Sequence, residues 1–271
     1  MGSIELREAA ADRISGAKRI VFKVGTSTIV YPETGKPNYR NIELLARILS
    51  NIQNQGREVI LVSSGAIGVG RDKLRGAKAS TIPEKQAVAA VGQCELMFQY
   101  SKFFGEYGKV VGQILLTLDV YKNSERRKNV INTFKKLLEK EIIPIVNEND
   151  SVSVDEIKIG DNDTLSALVA ILADADLLVV ISDIDGFYDC DPRTNECAKK
   201  ISCVEKITSE IESYAGEKGS DNATGGMKTK IEAAKMVTAA GVDMILTSGL
   251  DLEEIYEVLE GKPKGTVFLR Q

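Results

Sequence analysis

The chain has 271 residues, 43% hydrophobic and 27% charged, with a net charge of −4 at pH 7 and a pI near 5.3. That length supports one large domain or two small ones around a substantial core, and an acidic chain whose densest basic run is Arg126-Arg127-Lys128 is not expected to bind nucleic acid. No histidine is present, which excludes Ser-His and Cys-His mechanisms and any histidine general base, and leaves Lys, Asp, Ser and backbone groups to carry chemistry.

The N-terminal stretch MGSIELREAAADRISGAKR is charged throughout and lacks the apolar core of a signal peptide. Later apolar runs are of strand length, too short to span a bilayer, so a cytoplasmic protein without membrane contact is expected. RIVFKV (19–24) reads as a strand, and IELLARILSNIQNQG (42–56) carries apolar residues at helical spacing and ends at a glycine. EVILVSSGA (58–66) is a strand running into a small-residue turn, 84–104 a long helix, VVGQILLT (110–117) a strand and 124–140 a helix. IIPIVNEND (142–150) is a strand ending in a polar cluster, and SVSVDEIKIG (151–160) alternates at period two like a hairpin. DTLSALVAILADA (163–175) is helical, LLVVIS (177–182) a strand, TKIEAAKMVTAAG (229–241) a helix, and MILTS (244–248) and TVFL (266–269) the last strands.

No repeat or composition break marks a boundary, so one domain is expected over 1–271. Strands apolar on both faces and separated by helices predict an α/β fold with a mostly parallel sheet and helices on each side. Ligands then gather beyond the carboxyl ends of the strands, where KVGTS (23–27), SSGA (63–66), NEND (147–150) and SDID (182–185) all fall. The cysteines at 94, 190, 197 and 203 contain no C-x-x-C and match no common zinc spacing, which predicts isolated thiols.

Each motif alone carries two readings. KVGTS suits phosphate through Lys23 and the backbone of Gly25, or is an ordinary strand-to-helix turn. SSGAIGVG has glycines at 65, 68 and 70, the wrong order for a dinucleotide fingerprint; it opens a helix, with Ser64 as a further donor to an anion. NEND is a ligand cluster or a polar turn, and GDND (160–163) supplies carboxylates, a helix cap, or both. ATGGMKTK (223–230) lacks the spacing of a P-loop. Lys228 and Lys230 point roughly 200° apart on a helix, so one of them at most faces a ligand there.

In series these segments resemble the amino-acid kinase superfamily and, within it, the glutamate 5-kinase family. The carriers are KVGTS, SSGAIGVGR (63–71), KQAVAAVGQ (85–93), INTF (131–134), PIVNENDSV (144–152), EIKIGDNDTLSALVA (156–170), SDIDGFYDCDPR (182–193) and TGGMKTKIEAA (224–234). The resemblance implies a three-layer α/β/α sandwich whose N-terminal part binds the amino acid and whose C-terminal part binds ATP. It implies phosphorylation of the glutamate side-chain carboxylate with Mg²⁺ and ATP, the first step of proline biosynthesis. Lys23, Asp163 and Lys230 are implied as catalytic. Gly25, Thr26, Ser182, Asp183, Thr224, Gly225, Gly226 and Met227, with both lysines, are implied for ATP. Ser64, Gly65, Asn147, Asp150 and Asn162 are implied for glutamate. Further implications are proline as feedback inhibitor and a homo-oligomer; metal ligands are not identified. The chain stops after its last strand, so the PUA domain of many members is not expected. A superfamily kinase with another acceptor and a non-catalytic amino-acid sensor are the competing readings.

Overall fold

The computed structural model of the protein describes residues 10–76, 78–152, 162–215, 226–262 and 264–271. In chain order the strands are β1 (Arg19–Val24), β2 (Glu58–Ser63), β3 (Val111–Leu116), β4 (Ile143–Glu148), β5 (Leu177–Ser182), β6 (Phe187–Tyr188), β7 (Lys200–Ile201), β8 (Cys203–Val204), β9 (Asp243–Ser248) and β10 (Thr266–Phe268). Eight of them join in the order β3-β4-β2-β1-β5-β9-β10-β8, while β6 and β7 form a separate antiparallel ribbon. Neighbours in the large sheet are parallel except β9 and β10.

The longer helices are α1 (Tyr39–Asn54), α2 (Ala66–Lys73), α3 (Ile82–Glu106), α4 (Ser124–Glu139), α5 (Asp163–Leu172), α6 (Ser209–Tyr214), α7 (Met227–Ala239) and α8 (Glu254–Leu259). Three of them, α1, α3 and α7, begin earlier than apolar periodicity predicts, and side-chain caps set the first two starts. Asn38 accepts a hydrogen bond from the Asn41 N–H ahead of α1. Thr81 and Glu84 form a reciprocal capping box at α3, with a proline in its first turn. The short strands β6 to β8 and helices α6 and α8 have too few residues to show a period, and sequence reading passed over them. The predicted hairpin at 151–160 lies, from residue 153 onward, outside the described residues.

Strand alternation builds three layers. On β1, Ile20, Phe22 and Val24 face one apolar layer with α1, α3 and α8, while Val21 faces the other with α4, α5 and α7. β5 repeats this, with Leu177, Val179 and Ile181 on the first side and Leu178 and Val180 on the second. Burying each such side chain contributes about 1.5–3 kcal/mol, which is why these strands read as continuous apolar runs.

From β1 the chain winds outward to β2, β3 and β4, then returns to β5 on the opposite side of β1. The register pairs Val24 with Ser63 and with Ile181, so β1, β2 and β5 end level with one another. The reversal beside β1 opens a crevice at that edge, the place where parallel α/β sheets bind ligands.

Candidate active site

Period two on β1 sends Lys23 to the same side as Val21, toward α5 and α7. Asp163 is the first residue of α5, and Lys230 lies in the first turn of α7. The three converge: Lys23 Nζ is 2.6 Å from Asp163 Oδ1, and Lys230 Nζ is 3.1 Å from Asp163 Oδ2. The Thr229 hydroxyl also donates to Asp163 Oδ2, at 3.0 Å. Lys23, Asp163 and Lys230 are all buried. Two ammonium groups thus meet one carboxylate at the strand ends, and low-dielectric surroundings strengthen the pull of such groups on an anion. Lys228 is exposed, so of the two lysines in the loop only Lys230 joins this cluster.

A second cluster lies beside the first, because Asn162 directly precedes Asp163. Asn162 Nδ2 donates to Asn147 Oδ1 (2.7 Å), to the Ser63 carbonyl (3.0 Å) and to Ser64 Oγ (3.1 Å). The Glu148 N–H also donates to Asn147 Oδ1, and Asn147 Nδ2 donates to Gln93 Oε1 at 2.8 Å. Asn162 Oδ1 and Asp150 Oδ1 are buried with no hydrogen-bond partner among the described residues. Buried acceptors are normally satisfied, so this pair suits a donor supplied by a ligand. Burial pushes the Asp150 carboxyl up to about 6.

On the other side of β1, Ser182 ends β5 and its hydroxyl donates to Asp183 Oδ1 at 2.9 Å, while Asp183 itself is exposed. Gly25, half-buried, and Thr26, exposed, lead out of β1 into a helical turn at Thr26–Ile29. Gly226 caps α7 and Met227 starts it; Thr224 and Gly225 lie outside the described residues. Of the predicted positions, then, Lys23, Asp163 and Lys230 meet directly, and Ser64, Asn147 and Asn162 form one hydrogen-bonded network. Gly65 and Asp150 flank that network in the chain.

The glycines of SSGAIGVG serve packing. Gly65 adopts the left-handed conformation (φ 98°) that starts α2. A Cβ on Gly70 would strike the Val88 carbonyl, and one on Gly92 the Ala66 carbonyl, so α2 and α3 cross in backbone contact. That crossing carries Gln93 to Asn147. Sequence reasoning assigned no role to Gln93 or Thr229, although each sits inside a quoted motif. The signals were their positions next to Gly92 and Lys230.

Among the described residues no group of three or more Cys, Asp or Glu stands close enough to hold a metal. Both Asp163 oxygens face lysines. The donor set fits Mg²⁺ carried on nucleotide phosphates, an ion that commonly takes few protein ligands.

The amino acid kinase family model matches residues 18–248. Glutamate 5-kinase of Clostridium perfringens is 57% identical over 97% of this chain and 98% of its own length. The same enzyme of Listeria innocua is 54% identical, with 95% of each chain covered. In fold, the chain is similar to the carbamate kinase of Giardia lamblia bound to AMP-PNP, with a TM-score of 0.65, 20% identity, and 95% and 100% of the two chains covered. A lysine–aspartate–lysine cluster at the switch point of a mostly parallel sheet thus sits in a chain that belongs to the amino acid kinase family and, within it, to the glutamate 5-kinases.

Proposed function

We propose that the protein transfers the γ-phosphoryl group of ATP to the side-chain carboxylate of L-glutamate, giving ADP and L-glutamyl 5-phosphate, the first step of proline biosynthesis. The observation that carries this reading is the adjacency of Asn162 and Asp163. One residue belongs to an amide network with unsatisfied acceptors, and the next to a doubly lysine-bound carboxylate.

Glutamate's side chain has a pKa near ~4.3, so it is already an anionic nucleophile at neutral pH and needs no general base. One carboxylate oxygen attacks the γ-phosphorus as the bond to the bridging oxygen of ADP breaks. The obstacle is the approach of two anions. Lys23 and Lys230 offset the charge that spreads over the equatorial phosphoryl oxygens, and Asp163 holds both ammonium groups in place. Bound Mg²⁺ supplies further neutralisation of the phosphate oxygens. Ser64, Gly65, Asn147, Asp150 and Asn162 hold glutamate, and Asp150 with Asn162 Oδ1 accepts from its ammonium group. Gly25, Thr26, Ser182, Asp183, Gly226 and Met227, with Thr224 and Gly225, bind ATP. In this division the N-terminal part serves the amino acid and the C-terminal part the nucleotide.

Proline shares the α-carboxylate and ammonium of glutamate, which supports feedback inhibition at the same network. Among the described residues β3 stands at the edge of the large sheet, and with the exposed Val91 and Phe98 on α3 it supports a homo-oligomer. Among the described residues no helix is long and apolar enough to cross a membrane.

The experiment is incubation with MgATP, L-glutamate and hydroxylamine, reading γ-glutamyl hydroxamate. Product that requires both substrates is expected. No product from folded, ATP-binding protein would overturn the reading, and a panel of N-acetylglutamate, aspartate and UMP would then separate another acceptor from a sensor.

A further inference from the structure

Two backbone groups fix the polarity of the amide network. The Glu148 N–H can only donate, so the atom of Asn147 that it meets must be Oδ1. The Ser63 carbonyl can only accept, so the atom of Asn162 that it meets must be Nδ2. With Asn147 so oriented, its Nδ2 points the other way and needs an acceptor, since Asn147 is buried. Gln93 Oε1 is that acceptor, at 2.8 Å. At the far end, the orientation of Asn162 leaves its buried Oδ1 without a partner among the described residues.

We infer that Gln93 is a positioning residue for glutamate, which locks the Gln93–Asn147–Asn162 amides in the one sense that presents Asn162 Oδ1 to the substrate's ammonium group. The inference rests on the glutamate placement proposed above. It also assigns a purpose to the glycine contact between α2 and α3. Gly92 seats α3 directly on the Ala66 carbonyl, and Gln93, half-buried, is the next residue on that helix. Without its acceptor the buried Asn147 Nδ2 is left unpaired, and only the Glu148 N–H and the Ser63 carbonyl still hold the two amides in that sense.

The test compares Gln93→Met, which keeps volume but removes the acceptor, with Gln93→Glu, which keeps an acceptor, and with Gln93→Ala. Steady-state kinetics are read for glutamate and for ATP separately, with Tm for each variant. Gln93→Met is expected to raise the glutamate KM roughly ten-fold, equivalent to ~1.4 kcal/mol, with the ATP KM unchanged. Gln93→Glu is expected to restore the wild-type glutamate KM, which a purely structural role would not do. Gln93→Ala leaves room for a water that accepts the same hydrogen bond, so it falls between the two. If Gln93→Met does not fold, Gln93→Ala stands in for it, and an unchanged glutamate KM there overturns the inference. So does folded Gln93→Met with wild-type kinetics, an equal rise in both KM values, or Gln93→Glu as impaired as Gln93→Met. Asp150→Asn and Asn162→Leu serve as controls. If they leave the glutamate KM unchanged, it is the glutamate placement that fails; if they raise it while Gln93→Met does not, only the role of Gln93 fails.

Discussion

Lys23 and Lys230, from opposite ends of the chain, grip the two oxygens of one buried carboxylate, that of Asp163. β1 supplies the first lysine and the opening turn of α7 the second, so the cluster assembles only when both halves of the sheet have formed. Two ammonium groups held in place by one carboxylate are what a phosphoryl transfer between two anions requires.

Lys230 is buried in this cluster while Lys228, two residues earlier, is exposed. Lys230→Met leaves Asp163 its contact with Lys23, so the protein should fold. Its kcat should fall about 100–1,000-fold, as for loss of one charge-stabilising donor. Lys228→Met should keep near-normal kcat and glutamate KM. A Lys230→Met enzyme with normal turnover would remove the lysine from the chemistry.

Asp163→Asn removes the anion that both ammonium groups share. Breaking a buried ion pair from one side costs about 3–5 kcal/mol, because the partner charge is left uncompensated. Here two are left. Denaturant unfolding should show that loss along with lost activity, and the Lys23→Met, Asp163→Asn double variant should recover part of the stability but none of the turnover. Unchanged stability in Asp163→Asn would mean that the lysines turn to water instead.

The longer strands and the long helices were legible because each apolar run or helical period is long enough to show itself. β1, β2, β4, β5 and β9 carry an unbroken row of buried side chains after their first residue or throughout. The choice of Lys230 over Lys228 rested on resemblance; helical spacing alone said only that they diverge. Gln93 was not legible, since its meaning depends on Asn147, fifty-four residues away, and on the polarity of two backbone groups. The glycines of SSGAIGVG invited an anion site, yet Gly70 and Gly92 answer to one another across a helix crossing. Such pairings between separate segments have no period and no local signature.

That crossing leads to a stability prediction. Gly92→Ala places a methyl group into the Ala66 carbonyl, where no side chain can yield, so α2 and α3 must separate. Overpacking of this kind costs about 1–3 kcal/mol. Because Ala66 begins α2 just after Ser64 and Gly65, and Gln93 follows Gly92, the glutamate KM should rise along with the loss of Tm. Gly105→Ala on the same helix meets nothing within 4 Å and should be neutral or slightly stabilising, since alanine favours helix. Equal effects at both positions would show that helix propensity, not the crossing, decides.

Asp150 makes the site sensitive to pH. Burial raises its carboxyl to about 6, against ~3.9 for the unfolded residue. Between those values the folded protein binds more protons than the unfolded chain, so this residue's contribution to stability falls as pH rises from about 4 to 6 and is constant above. The ionised carboxylate is therefore held at a cost to the fold, and the return is a partner for the substrate's ammonium group. Asp150→Asn should raise the Tm of the ligand-free protein at neutral pH, with the difference from wild type fading toward pH ~4. The same variant should bind glutamate poorly at every pH. In the wild type the glutamate KM should climb below pH about 6 as Asp150 takes up a proton, while glutamate's own side chain, with a pKa near ~4.3, stays ionised through the upper part of that range. A flat KM from neutral pH down to about 5, or an Asp150→Asn protein that keeps normal glutamate KM, would separate Asp150 from substrate recognition.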